Sequence, residues 1–405
     1  MNNIRGIVEE GLCCSCGICS GNCPKQCIRM NSEKWGGVYP EISEECVECG
    51  LCMKVCPHNS LTDYDGEEKL EEYILGEYVS VLCAKNKSKE LLKDAASGGV
   101  VTGIIRRLLD AGEYDSAFLV DGYNYNAPLM TKRFTAGDSL KGTTRSRYLT
   151  ISHEDTVRYM LKHSDERIII VGTGCAIQGF LNTINVQRKL RRENYLLIGL
   201  FCEKTMNYNV IRYFSQHKAG NSRAVNEFYF KHKAAGGWPG NVRIVYEDGS
   251  QCDLPNTERM KVKDYFSCER CLYCLDKLNR NADISVGDNY IKKNADPEGV
   301  SSVIVRTEVG RRVWEICKDG FEYHGDSAEE LLHAQVISTK ARNYEFAKIK
   351  GLYGESAVYG AESEKQYQRA LKKIEIGKKA NPYAAVNADI NLGKVKGKVK
   401  RLLRM

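Results

Sequence analysis

The chain has 405 residues, with 59 Lys and Arg against 52 Asp and Glu for a formal charge of +7, and 42% of its residues are hydrophobic. That length has room for two or three domains with a sizeable core, and the composition excludes a disordered or fibrous chain. Nothing approaches the roughly 20 consecutive apolar residues that cross a bilayer, and 18 cysteines without an apolar leader predict metal ligation in a reducing compartment, the cytoplasm, and not an exported disulfide scaffold.

Near the start, Cys13-x-x-Cys16-x-x-Cys19-x-x-x-Cys23-Pro24 is followed by Cys46-x-x-Cys49-x-x-Cys52-x-x-x-Cys56-Pro57. This is the spacing of bacterial two-cluster ferredoxins, in which one run fills three corners of a [4Fe–4S] cubane and the other run supplies the fourth. The spacing therefore predicts Cys13, Cys16, Cys19 and Cys56 on one cluster, and Cys46, Cys49, Cys52 and Cys23 on the other. Gly17 and Gly50 follow the second ligand of each run, where a residue without a Cβ lets backbone N–H groups turn toward sulfide. Zinc sites usually join two ligand pairs across a longer spacer, and disulfide frameworks belong to exported chains, so both account less well for the pattern. Cys14 and Cys27 fall outside it and read as plain buried thiols. Trp35 to Pro40 reads as the turn and strand between the runs, and residues 1–62 form a module whose clusters serve as its core.

Residues 63–77 read as an acidic linker. Beyond them, residues 78–345 alternate strands and helices as a larger α/β domain. A strand over 78–84 precedes Ser97-Gly98-Gly99, which opens a helix running to Leu109 with Ser97 as its N-cap. Open N–H groups at such a start suit a phosphate as well as an ordinary capped helix. Farther on, a strand over 167–171 enters Gly172-Thr173-Gly174-Cys175 and a helix from near Ala176. Ile177 occupies the third-glycine place of a dinucleotide fingerprint, and no P-loop ending follows. A strand over 195–202 ends in Cys202. If the two strands are parallel neighbours, Cys175 and Cys202 emerge side by side at the edge where open α/β sheets carry their sites. Cys268-x-x-Cys271-x-x-Cys274 then offers three more thiols, so five candidates compete for four places on a third [4Fe–4S] cluster; a redox-active dithiol or a zinc site is the competing reading. Residues 346–405 read as a helical, basic tail. Its Lys394, Lys396, Lys398, Lys400, Arg401 and Arg404 suit a weak contact with the inner face of a membrane or a plain solvated end, and no nucleic-acid partner is expected.

Taken together, Ser97-Gly98-Gly99, Ser146-Arg147-Tyr148, Gly172-Thr173-Gly174-Cys175, Cys202, Cys271-Leu272-Tyr273-Cys274 and Ala282-Asp283-Ile284-Ser285-Val286-Gly287 stand in an order that resembles the beta subunits of coenzyme F420-reducing hydrogenase and F420-dependent formate dehydrogenase. The resemblance covers the chain from about residue 10 to about residue 310. It implies a fused ferredoxin domain, an FAD-binding α/β domain and a further cluster near the flavin, with FAD exchanging a hydride with F420. Candidate FAD contacts are Ser97, Gly98, Gly99, Ser146, Arg147, Tyr148, Gly172 and Thr173. Two departures flank the third cluster: Gly172-Thr-Gly-Cys-Ala176 where the family usually has Gly-Thr-Pro-Cys-Gln, and Cys202-Glu-Lys204 where Cys-His-Gly is usual. Similar bacterial proteins occur beside surface-polysaccharide genes. The expected function is an iron–sulfur flavoprotein oxidoreductase that couples one-electron clusters to a two-electron acceptor, either F420 or another small molecule, since a flavin is the usual converter. A ferredoxin or another redox subunit is the expected electron partner. Two alternatives stay open: an electron-relay subunit without its own substrate site, and a scaffold with structural clusters.

Overall fold

The computed structural model describes residues 2–31, 36–125, 127–219, 224–234, 236–354, 357–379 and 381–402. Trp35 lies outside these residues. So do Arg404 and the side chains of Lys396, Lys398, Lys400 and Arg401, leaving Lys394 as the one described side chain among those six basic residues.

The cysteine-rich module holds a two-stranded hairpin, β1 (Ile28–Asn31) with β2 (Tyr39–Ile42), in which Ile28 pairs with Ile42. Each cysteine run ends in a one-turn helix, Ile18–Asn22 or Leu51–Val55. The larger domain is built on β3 (Ser80–Asn86), β4 (Ser116–Val120), β5 (Thr131–Phe134), β6 (Ile168–Thr173) and β7 (Tyr195–Leu200), then a separate three-stranded sheet of β8 (Val225–His232), β9 (Asn241–Tyr246) and β10 (Gln251–Leu254), then β11 (Ile284–Asp288), β12 (Ser301–Val305) and β13 (Phe321–Gly325). The main sheet runs β13-β3-β12-β11-β7-β6-β4-β5. Its centre, β4-β6-β7-β11, is parallel, and the strands beyond it on both sides are antiparallel. The short unbroken apolar runs of β6 and β7 fit strands buried on both faces. Helices Val100–Asp110 and Glu308–Cys317 cover one face.

The other face is covered by helices Glu154–Lys162 and Gly174–Val186, and the cysteine-rich module sits on these two helices through Ile18 and Val55, which share a core with Ile177 and Phe180. Polar contacts seal the same junction. Ser20 Oγ donates to Glu154 (2.6 Å), Asn22 Nδ2 to Thr183 Oγ1 (2.9 Å) and Asn182 Nδ2 to Cys56 O (3.3 Å). Among the described residues no helix is long and apolar enough to cross a membrane.

Two expectations need correction. The acidic stretch 63–77 contains the helix Leu70–Leu75, and Tyr64, Tyr73 and Ile74 are buried with Ile304 and Leu331. Its acidic residues face water, while a few aromatic and aliphatic side chains supply the packing. Ser97 does not cap a helix: its hydroxyl donates to Val300 O (2.5 Å), and the helix begins at Val100 after a left-handed Gly99 (φ +69°).

Asp283, inside the Ala282–Gly287 motif, explains why that segment is tied to the sheet. Its buried carboxylate accepts from Leu197 N (2.9 Å), Arg192 (2.8 Å) and Thr307 Oγ1 (2.7 Å). Asp283→Ala strands all three donors and is expected to destabilise the protein by roughly 3 kcal/mol. An unchanged urea midpoint for the anaerobic variant would contradict this role.

Candidate iron–sulfur centres

Both cysteine runs use the same backbone device. Ser15 (φ +60°) and Gly17 (φ +71°) are left-handed in the first run, as are Glu48 (φ +49°) and Gly50 (φ +73°) in the second. A left-handed residue with a side chain costs about 1–2 kcal/mol, yet it is accepted at the same place twice. The turns aim N–H groups at sulfur: Ser15 N donates to Cys13 Sγ (3.3 Å), and the N–H groups of Ile18, Ser20, Met53 and His58 face Cys16, Cys19, Cys52 and Cys56. Burial pushes the Cys13 thiol up to about 12, and the Cys56 sulfur adds to the shift. Cys16 is faced by Cys19 and Cys56, and Cys19 by Cys13 and Cys56. On the other side Cys52 is faced by Cys46 and Cys49. Cys27 lies with its Sγ 3.4 Å from that of Cys23 and also faces Cys46. Cys56 thus stands among the sulfurs of the first run and Cys23 beside those of the second. Thiols that burial holds protonated lose their protons when they ligate a metal, and N–H donors favour the thiolate; this all-sulfur set fits [4Fe–4S] clusters.

A further sulfur group forms where β6 and β7 end. These strands pair in parallel with Gly172 opposite Gly199 and Thr173 opposite Leu200, so Cys175 and Cys202 leave the sheet at one edge. Glycines then let the segment from Cys268 to Asn279 lie directly on that edge. A Cβ at Gly199 would stand 2.3 Å from Asn279 Cγ, and one at Gly174 would stand 2.2 Å from the Asp276 carboxylate. Asn279 Nδ2 donates to Gly172 O (2.9 Å). Gly174, at the position usually held by proline, therefore makes room for Asp276. Cys202 is faced by Cys271, Cys175 and Cys274, while Cys268 is faced by Cys271 and Cys175 and turns toward Cys13. Thr173 Oγ1 lies 3.3 Å from Cys175 Sγ, and Thr205 N donates to Cys271 Sγ (3.5 Å).

Two cations enclosed with these sulfurs were invisible to cysteine spacing. Arg270, between Cys268 and Cys271 in sequence, is buried; its nitrogens donate to Leu12 O (3.3 Å) and Pro57 O (2.7 Å). Burial opposes its charge, but the sulfurs of Cys14, Cys175, Cys274 and Cys56 outweigh burial and hold it protonated. Lys340, fully buried, donates to Cys274 O (3.1 Å) and faces Glu203, Cys274, Cys202 and Cys271. Glu203 and Lys204, the second departure, are themselves paired. Burial would raise the Glu203 carboxyl, but Lys340 and Lys277 hold it down at about 2, and Lys204 bonds Asp264 (2.7 Å). Cys14 proves to be more than a buried thiol. Its sulfur lies within hydrogen-bonding reach of both Cys16 and Cys175, which links the two modules sulfur to sulfur.

The expected flavin contacts divide. Gly98 N donates to Ser301 Oγ (3.1 Å), and a Cβ there would meet Ala84 O at 2.4 Å, so Gly98 serves a close approach to the strands. The Arg147 guanidinium donates to Gly122 O (2.8 Å) and Thr143 O (3.2 Å) and further to the carbonyls of Gly142, Thr144 and Arg145, which organises its own loop. Ser146 is half-buried, and Tyr148 packs its ring on Phe230 (5.5 Å) beneath Arg259 (4.5 Å). The open cation is Arg145. It pairs with Asp94 (3.0 Å), but its buried Nη1 has no hydrogen-bond partner among the described residues. Lys233 lies nearby, lowered to about 8 by burial first and Arg145 second, and donates to Leu92 O (2.6 Å) just before the Gly99 helix start. An unpaired guanidinium nitrogen, a second cation and an uncapped helix N-terminus fit an anionic group such as a diphosphate. Arg145 adjoins the expected triplet, but which arginine was open depended on the loop.

Residues 165–330 match the family described as the C terminus of the coenzyme F420 hydrogenase/dehydrogenase beta subunit, and residues 39–62 match the 4Fe-4S binding domain. The chain is 28% identical to the coenzyme F420-dependent sulfite reductase of Methanocaldococcus jannaschii over 76% of its own length but only 46% of that protein's. It is 25% identical to the F subunit of F(420)H(2) dehydrogenase from Methanosarcina mazei, over 84% of this chain and 92% of that one. Against the beta subunit of coenzyme F420 hydrogenase from Methanosarcina barkeri it is 27% identical, over 60% and 80%. A chain of the F420-reducing [NiFe] hydrogenase complex from M. barkeri shares the fold, with a TM-score of 0.53 at 21% identity over 71% of this chain and 97% of that one. A small 4Fe–4S binding module is thus joined to a larger α/β domain whose residues 165–330 match the C-terminal family of the coenzyme F420 hydrogenase/dehydrogenase beta subunit.

Proposed function

We propose that this chain is a cytoplasmic iron–sulfur flavoprotein that carries electrons along three [4Fe–4S] clusters to or from FAD, and thence to a two-electron acceptor. The observation that carries the reading is the junction at Arg270, where Cys56 and Cys14 of the ferredoxin module meet Cys175 and Cys274 of the α/β domain around one buried cation. Beside that cation Cys14 and Cys175 are in direct contact, so the two sulfur groups adjoin.

Each part then has a role. Cys13, Cys16, Cys19 and Cys56 hold one cluster, and Cys46, Cys49, Cys52 and Cys23 the other. For the third cluster the three sulfurs that face Cys202 favour Cys175, Cys202, Cys271 and Cys274, with Cys268 the spare thiol. Arg270 and Lys340 offset the negative charge these ligands bring into the interior. Arg145, Lys233 and the helix start at Gly99 and Val100 receive the FAD diphosphate, with Ser97 and Gly98 shaping the approach from the strand side. Bound flavin supplies the exchange between single electrons and a hydride. F420 is the favoured acceptor because relatives carry it in their names, and a further redox subunit is the favoured partner because relatives are subunits of complexes. The same wiring would serve a chain whose acceptor site lies on that partner. Turnover of a soluble acceptor by the isolated chain separates the two arrangements.

Anaerobically reconstituted protein is expected to hold about 12 iron atoms per chain, four for each cubane. Cys271→Ser lowers this to about eight while Cys268→Ser leaves it near 12. Saturation of the unaltered protein at eight removes the third cluster. Arg145→Gln is expected to weaken FAD binding about tenfold or more, since about 1.4 kcal/mol corresponds to tenfold, while the electron paramagnetic resonance of the ferredoxin clusters persists. Undiminished flavin affinity would place the diphosphate elsewhere.

A further inference from the structure

Among the described residues, one group of ligating side chains lies outside the relay. Cys83 on β3 and His324 on β13 are direct cross-strand partners, so their side chains share one face of the sheet. Asp326 follows β13, tied to β3 by its N–H to Val81 O (2.9 Å). A Cys83 sulfur, a His324 ring nitrogen and an Asp326 carboxylate oxygen all lie within 4.8 Å of one another. In sheet order β12 and β11 separate β3 from β7, whose end leads to Cys202.

We propose that Cys83, His324 and Asp326 form a zinc site that fastens the edge strand β13 to β3. One sulfur, one imidazole nitrogen and one carboxylate oxygen are zinc's usual donors, and the fourth tetrahedral position belongs to water. A thiolate and a carboxylate neutralise the divalent charge, and the thiol proton leaves to solvent as the ion binds. Tetrahedral zinc keeps its ligand atoms roughly 3.5 Å apart. The exposed His324 ring is the member free to close that gap.

An outer layer of support is present. Asn289 Nδ2 donates to Asp326 Oδ2 (2.9 Å), and Asn294 Nδ2 donates to both carboxylate oxygens (3.0 and 2.8 Å). Asn294 Oδ1 also meets His324 Nε2 (3.1 Å). Outer partners of this kind fix the orientation of metal ligands. The competing cation is Lys293, whose Nζ is 3.9 Å from Asp326 Oδ1, but its closer partner is Glu330, so zinc displaces it without stranding its charge.

The test uses cluster-loaded protein, so that the relay cysteines are already occupied by iron. After incubation with zinc chloride and gel filtration against a weak chelator, the unaltered chain is expected to retain about one zinc ion. His324→Ala, at an exposed position, is expected to lose it without loss of iron. Zinc-edge X-ray absorption should show a single sulfur neighbour at about 2.3 Å, absent in Cys83→Ser. No retained zinc, equal retention by His324→Ala, or several sulfur neighbours would each overturn the proposal.

Discussion

Arg270 is enclosed by sulfur. Two of its nitrogens hold carbonyls of the ferredoxin module, at Leu12 and Pro57, while its charge faces Cys14 and Cys56 on that side and Cys175 and Cys274 on the other. A buried cation left without its anions, or buried thiolates left without a cation, costs several kcal/mol. The electrostatics therefore bind the two modules at the point where their sulfurs converge. Lys340 serves the far side of the second group, and backbone N–H groups serve the cysteine runs, where left-handed Ser15, Gly17, Glu48 and Gly50 aim them.

The sheet supplies the geometry that this charge arrangement needs. Parallel β6 and β7 end in register, and Gly174 and Gly199 thin their C-terminal edge until Asp276 and Asn279 can lie on it. The cysteines of that segment are thereby held against Cys175 and Cys202. Ile18, Val55, Ile177 and Phe180 make the apolar half of the docking, and Ser20, Asn22 and Asn182 make the polar half. Electron relay requires closeness and rigidity together, and both come from ordinary packing around an unusual concentration of sulfur.

Much of this was legible because it is local. Cysteine spacing, the glycine after each second ligand and the apolar runs of β6 and β7 each depend on a few neighbouring residues. Parallel pairing of those strands was the condition on which Cys175 and Cys202 would emerge side by side, and the sheet meets it. Other features depend on tertiary context. Ser97 looked like a cap, but Val300 takes its hydroxyl. Arg147 looked like the open arginine, but a loop that curls back gives it carbonyls and leaves Arg145 Nη1 unpaired. Arg270 and Lys340 are single cations in unremarkable stretches, and only the fold brings them to sulfur. The stretch 63–77 misled through its acids, since average polarity hides buried Tyr64 and Tyr73.

The central claim is a continuous path of clusters crossing from the ferredoxin module into the α/β domain. Anomalous diffraction at the iron edge from anaerobically prepared crystals tests it most directly. Three iron-centred peaks are expected, the third bounded by Cys175, Cys202, Cys271 and Cys274 and next to Arg270. Two peaks confined to the ferredoxin module, with those four cysteines bound to no iron, would contradict the account.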